Sequence, residues 1–574
     1  MYLTSFDWTV IFSYGVLVVV IGVLLARRAG QNTDQFFLGG RSLPWWLLGT
    51  SMVATTFAAD TPLAITEIVR TEGVWGNWFW WTWAVGHTLA VFLFSRLWRR
   101  AEVLTDAELI ELRYSGKAAA VLRGTKAGLM ALVFNLLILG WVTRAMVTIL
   151  RETMNIPEFW GLVACGLLAV FYATMAGFWG VVITDLMQFV LAMIGSVSFA
   201  VFAAWKLGGL NSLLEKAETA NPGVTDLIPQ LMIGEPKTTK FLVLIFIGWW
   251  ATHNADAGGY MMQRLSSAKD ERHALGGAMW FAVSHYALRA WPWILVALAS
   301  LSFLPLDGFA EHKAAYPRLI GMVLPVGLRG LMVACLLAAF MSTVDTHLNW
   351  GASYIVSDLY KRFLKKDGDE RHYVFIARIA SVFLGVAATF VSLGIESIKG
   401  SWALLYSMGA GLGPFLILRW FWWRINAWTE LSALLVSVFT GALLAMLGVD
   451  YEYRLLIVVA TSLLGASIVT FLTKPVEFSK LESFYKKVVP GGFWGPVRKT
   501  MEREPVLEPI MRKSIGVDLV LGIMLIYGAT LGVGKLLFKE PLQGALLFSI
   551  CFISGLMLWF RYSGKSFFGR IYDE

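Results

Sequence analysis

The chain has 574 residues, of which 57% are hydrophobic and 15% charged, with a mean hydropathy of +0.64 and a formal net charge of +9. That apolar share exceeds what a soluble chain carries, and the charges sit in short clusters between long apolar runs, so an ordinary cytosolic enzyme is excluded and lipid is the solvent. A nucleic-acid reading of the +9 fails too, because the basic residues neither line one face nor form a tail.

The first apolar stretch, about Trp8 to Ala26, has no basic segment before it and no small-residue cleavage site after it, so it reads as a retained span. A membrane helix needs about 20 mainly apolar residues, and that window predicts about 15 spans. They centre near residues 17, 57, 86, 138, 167, 192, 250, 289, 339, 384, 411, 438, 463, 525 and 551. The fifth and sixth share one apolar run, broken only at Ala176-Gly177-Phe178-Trp179-Gly180, which suits a tight helical hairpin. Cys165, Cys335 and Cys551 lie in separate runs and suggest neither a disulfide framework nor a spaced metal site.

Lys and Arg are retained on the cytoplasmic side; with the N-terminus outside, the inner segments carry about 32 basic residues against about 13 in the outer ones. The net charge is therefore topological, and an odd number of spans puts the C-terminus inside, in agreement with Arg561, Lys565 and Arg570 in the tail. Two longer polar segments stand out, an outer loop from about Leu207 to Lys240 and an inner linker from about Lys474 to Lys513. Neither resembles a catalytic domain, and no Walker A pattern occurs, so no nucleotide is expected as a partner.

Two spans are broken. In the second, Pro62 lacks an N–H and its ring clashes with the carbonyl four residues earlier, which predicts a break that leaves the Ala58 carbonyl free beside Asp60. In the seventh, Gly258-Gly259 follows His253, Asn254 and Asp256, polar groups that lipid tolerates only on an interior face. Five spans separate the two breaks. With the first span set aside, residues 44–205 and 240–427 each supply five helices, and the second set enters from the opposite side, an inverted repeat opened in each half by a discontinuous helix. The expected organisation is a leading helix and first cytoplasmic loop (1–43), the first repeat (44–205), an outer loop (206–239), the second repeat (240–427) and about four trailing helices with the cytoplasmic linker (428–574).

In such an arrangement solute and coupling ion bind between the broken helices near the midplane. The ninth span contains Ala338-Ala339-Phe340-Met341-Ser342-Thr343-Val344-Asp345. On a helix the Ser342 and Thr343 hydroxyls can turn back towards the Ala339 carbonyl, forming an uncharged oxygen patch that suits a hard monovalent cation.

Several segments resemble the sodium:solute symporter family: Phe36-Phe-Leu-Gly-Gly-Arg41-Ser-Leu-Pro-Trp-Trp46, Tyr172-Ala-Thr-Met-Ala-Gly177, Thr184-Asp185-Leu-Met-Gln188-Phe189, Gln263-Arg264, Ala338 to Asp345, and Ser357-Asp358-Leu-Tyr360. The resemblance implies an all-α membrane protein of the LeuT-type fold with a sodium ion as cofactor, held by Ala58, Thr61, Ala339, Ser342 and Thr343. It places Asp185 near the inner exit route for sodium. By position it offers Asp60, Asn77, Trp81, Asn254, Asp256, His285, Trp402 and Tyr406 as solute candidates. Asp256 could instead pair with Arg144 or Arg289, other charges at membrane depth.

The resulting expectation is a non-enzymatic symporter in the cell membrane that imports a small organic solute, a sugar or an amino acid, with sodium by alternating access. A proton-coupled carrier of the same fold is the first alternative. A membrane-embedded enzyme using His253 or His347 with a nearby carboxylate is another, and a sodium-gated sensor is a third.

Overall fold

The computed structural model describes residues 3–29, 33–175, 178–309, 311–501 and 507–563; among them the chain is helical, with three isolated bridges and no strand. The Ala176-Gly177 turn and most of the basic C-terminal tail lie outside the described residues. Ten described helices are long and apolar enough to cross a membrane, or eleven when one bent pair counts as a single span. The expectation of about 15 spans is met only in that coarser form. Of the other predicted segments, those near residues 17 and 167 are the continuous helices Ser5–Ala29 and Glu158–Met175, and those near 86 and 250 are interrupted.

In chain order the principal helices are α1 (Ser5–Ala29), α2 (Trp45–Thr56), α3 (Asp60–Glu72), α4 (78–101), α5 (Glu108–Arg113), α6 (Gly116–Met154), α7 (Glu158–Met175) and α8 (Phe178–Lys206). They continue with α9 (236–248), α10 (Tyr260–Ser266), α11 (Glu271–Phe303), α12 (Leu328–Leu364), α13 (Glu370–Leu393) and α14 (Ile398–Phe421). The chain closes with α15 (Ala427–Met446), α16 (Tyr451–Leu472), α17 (Phe478–Val488), α18 (Ile515–Leu537) and α19 (Pro541–Ser563). α2 packs on α8, α11 and α12, while α6 packs on α12 and α13; α15–α16 and α18–α19 pair as hairpins. Phe390, Phe471, Phe552 and Trp559 point outward, as side chains solvated by lipid do.

Both sequence-predicted breaks are present. α2 and α3 meet at 59° across Phe57–Ala59. There the Ala58 carbonyl is not free: the Thr61 N–H donates to it at 3.1 Å, restarting the helix and leaving one lone pair. Between α9 and α10 the chain is unwound over residues 249–259 and lies directly against the backbone of α14. A Cβ on Gly413 would stand 1.9 Å from the Trp250 carbonyl oxygen, and one on Gly409 would stand 2.8 Å from the His253 nitrogen. Only glycine permits that approach.

The outer loop is partly folded, with a helix at Leu210–Ala220, and it is tied to the core where the Val224 and Leu227 carbonyls accept from the Val74 N–H and the Trp78 indole, each at 2.8 Å. The described part of the 474–513 linker packs as a cap. Its Trp494 donates to the Trp420 carbonyl at 2.9 Å, receives the Arg113 guanidinium 4.7 Å from its ring centre, and stacks on Phe484 of α17. At this end of the molecule Glu111 on α5 is raised by burial, but bonds from Arg362 and Arg123 outweigh that and hold it below the usual glutamate range.

Candidate functional site

Three helices converge on one carboxylate. Asp185 of α8 is fully buried and accepts from Ser342 of α12 at 2.5 Å and from Ser51 of α2 at 2.6 Å, with the Arg264 guanidinium 3.9 Å away. Thr343, the next residue along α12, turns its hydroxyl back to the Ala339 carbonyl as its helix geometry predicts; the same hydroxyl lies 3.1 Å from the Thr55 carbonyl at the end of α2. Ser342 does not turn back to Ala339, because Asp185 is the stronger acceptor. A hydroxyl that donates its proton to a carboxylate keeps its lone pairs for a cation, so the donor set is one of neutral oxygens beside a buried carboxylate. Such a set fits a hard monovalent ion.

Next to this corner is a cavity of about 170 Å³ whose wall includes Ala58, Thr61 and Thr343, so the ion-binding candidates and the cavity are contiguous. Asp60, Asn254, His285, Trp402 and Tyr406 line it, as do Trp80, Trp83, Trp141, Tyr260 and Arg289. Trp402 donates to Asp60 Oδ2 at 3.0 Å. Residues 284–288 form a π turn in α11 that brings His285 to the wall, where its Nδ1 lies 3.1 Å from the Thr56 hydroxyl and its Nε2 lies 3.1 Å from Arg289 Nη2. Arginine can only donate, so Nε2 accepts and Nδ1 carries the proton.

Three solute candidates lie elsewhere. Asn77 is fully buried and binds the Val74 carbonyl and the Trp80 indole, so it orients a wall residue instead of lining the cavity. Trp81 is buried between Trp78 and Trp291. Asp256 is paired, but with neither residue expected: Arg419 donates to it at 2.6 Å and Trp420 at 2.8 Å, while Arg144 binds Glu158 and Arg289 binds His285. The partner sits at the end of α14, about 160 residues along the chain, a distance no spacing argument bridges. Among the described residues neither His253 nor His347 hydrogen-bonds a carboxylate: His347 meets Asn135 at 2.7 Å, and His253 Nδ1 has no hydrogen-bond partner.

Sequence reasoning missed Arg289, Tyr260 and Trp141 as wall residues. Arg289 carried a signal, a charge one helical turn after His285 inside an apolar run. Tyr260 and Trp141 carried none beyond their aromatic character.

The profile of the sodium:solute symporter family matches residues 36–437. The sodium/glucose cotransporter of Vibrio parahaemolyticus is 23% identical over 464 residues, covering 76% of this chain and 84% of its own. The sodium/sialic acid symporter of Proteus mirabilis is 25% identical over 481 residues, covering 78% and 90%. A solved substrate-bound, outward-open structure of a Na+-coupled sialic acid symporter superposes with a TM-score of 0.69 at 21% identity, over 83% of this chain and 99% of that one. The chain shares that fold.

Proposed function

The chain belongs to the sodium:solute symporter family, and from that premise we propose that it imports a small organic solute, a sugar or an amino acid, by sodium-coupled alternating access. Sodium, a small-molecule solute and the lipid bilayer are its partners. The observation that carries the reading is the contact between Thr343 and the Thr55 carbonyl, which joins α12 to the broken α2–α3 pair at the edge of the cavity.

In this proposal Ala58, Thr61, Ala339, Ser342 and Thr343 supply the oxygens for sodium. Ser342 is aimed by Asp185, and Thr343 spans two helices. An ion that joins α12 to the break steadies one relative position of the two and raises solute affinity there; the solute raises sodium affinity by the same factor, because linkage is reciprocal. Asp185 then offers sodium a next contact on its way inward. The inward sodium gradient sets the direction as import, and the positive-inside argument places the N-terminus outside.

The test is uptake by the full chain in proteoliposomes, driven by an inward sodium gradient, over a panel of sugars and amino acids. Accumulation that requires sodium is expected, and it should be lost in the double variant Ser342→Ala/Thr343→Ala. Sodium dependence unchanged in that variant would sink the ion-site assignment, and accumulation driven by a proton gradient alone would favour the proton-coupled alternative.

A further inference from the structure

Two buried residues of the cavity wall carry opposite charge and do not pair with each other. Asp60 opens α3 and Arg289 follows the π turn of α11; each is 2% exposed. Several other buried charges find a partner of opposite sign, as Arg419 does in Asp256 and Glu430, Lys126 in Asp106 and Arg123 in Asp358. Buried Arg70 and Arg113 bond chiefly to backbone carbonyls, and Asp345, outside the cavity wall, has no ion pair among the described residues. Asp60 and Arg289 meet no partner of opposite sign among the described residues. Each is partly satisfied by neutral groups, Asp60 by the Trp402 indole at Oδ2 and by the side chain of Trp141, and Arg289 by the His285 carbonyl at Nε and the His285 ring at Nη2. Asp60 Oδ1 and Arg289 Nη1 are left without a hydrogen-bond partner.

A buried acceptor and a buried donor left unmade are each costly, and more so when charged. Both belong to the wall of one cavity of about 170 Å³. Resting on the symport reading above, we infer that the solute carries a carboxylate, bound by Arg289, and an N–H or O–H donor at another position, bound by Asp60. A guanidinium fork matches a carboxylate in geometry and charge. The donor can be an ammonium or a hydroxyl, so the shared chemistry is that of amino acids and sugar acids. Trp80, Trp83 and Tyr406 offer flat faces for the body of either. A neutral hexose would leave the arginine without its anion.

The experiment is calorimetric titration of the purified full-length protein, in sodium and in potassium buffer, with the common amino acids, with glucuronate and N-acetylneuraminate, and with glucose and galactose. At least one carboxylate compound is expected to bind, and its amide should bind more weakly by about tenfold to a hundredfold, the worth of a charge-assisted hydrogen bond. The amino-acid and sugar-acid arms decide which source supplies the chemistry. Arg289→Gln should abolish the preference for acid over amide, and Arg289→Lys should restore part of it. For an amino-acid ligand, Asp60→Asn should abolish the preference over the 2-hydroxy acid analogue. Glucose or galactose binding as tightly as any acid overturns the inference, and so does an acid that binds no better than its amide. Absence of carboxylate binding in both buffers overturns it as well. The symport reading is separated by thermal stability: melting raised by sodium in the wild type but not in Ser342→Ala/Thr343→Ala supports the ion site whatever the solute, and no sodium effect in the wild type counts against symport itself.

Discussion

Ser342 and Thr343 are adjacent in the chain, but their hydroxyls serve different partners, one a carboxylate and the other two backbone carbonyls. Removing the carboxylate therefore tests the first without touching the second. Asp185→Asn is expected to lower apparent sodium affinity about tenfold, the effect of replacing a charge-assisted hydrogen bond with a neutral one, and sodium activation curves of uptake measure it. Unaltered half-saturation would show that Asp185 has no part in aiming Ser342. A second residue-scale prediction concerns Asp256, which neutralises Arg419 in the core. Asp256→Asn leaves Arg419 with Glu430 alone and should cost about 3–5 kcal/mol, as breaking a buried pair does. Thermal melting in detergent reads the loss. A single variant that melts like the wild type would contradict this role.

At the scale of elements, the unwound stretch between α9 and α10 depends on a smooth partner. Gly413 of α14 admits the Trp250 carbonyl at a distance no Cβ tolerates. Gly413→Ala is expected to abolish uptake or prevent folding, whereas Gly465→Ala on α16, where the nearest atom is 4.0 Å from the added methyl, should be neutral or stabilise by up to about 1 kcal/mol. Expression, melting temperature and uptake of the two variants decide the matter; equal behaviour would mean that the close approach is unimportant. The linker cap reaches the same region. Trp494 is fully buried against Trp420, whose indole binds Asp256 between the two halves of the broken helix. Trp494→Ala should destabilise by about 3–5 kcal/mol through the cavity it leaves, with Trp494→Phe closer to wild type, as thermal melting would show. Packing of this kind gives the linker a structural purpose that its composition alone did not reveal.

At the scale of the whole molecule, orientation is the property that the placement of the basic residues predicts. Lys237 and Lys269 are both exposed, and the positive-inside argument puts them on opposite sides of the membrane. A membrane-impermeant maleimide is expected to label Lys237→Cys in intact cells and Lys269→Cys only after permeabilisation. The reverse pattern would invert the proposed topology.

The sequence by itself determined the solvent, the class and the breaks, because each depends on local properties. An apolar run of span length, a proline without an N–H and a glycine pair among polar residues act on their own stretch of chain. The small-residue and hydroxyl pattern of α12 was legible for the same reason, since Thr343 and Ala339 are one turn apart on one helix. Only the tertiary structure decided which groups meet across helices. It gave Ser342 to Asp185 and Asp256 to Arg419, placed Asn77 and Trp81 behind the wall, and brought Arg289 into the wall of the cavity that Asp60 also lines. Those choices follow from the packing of segments distant in sequence, where burial makes a charge seek whatever partner the fold brings near.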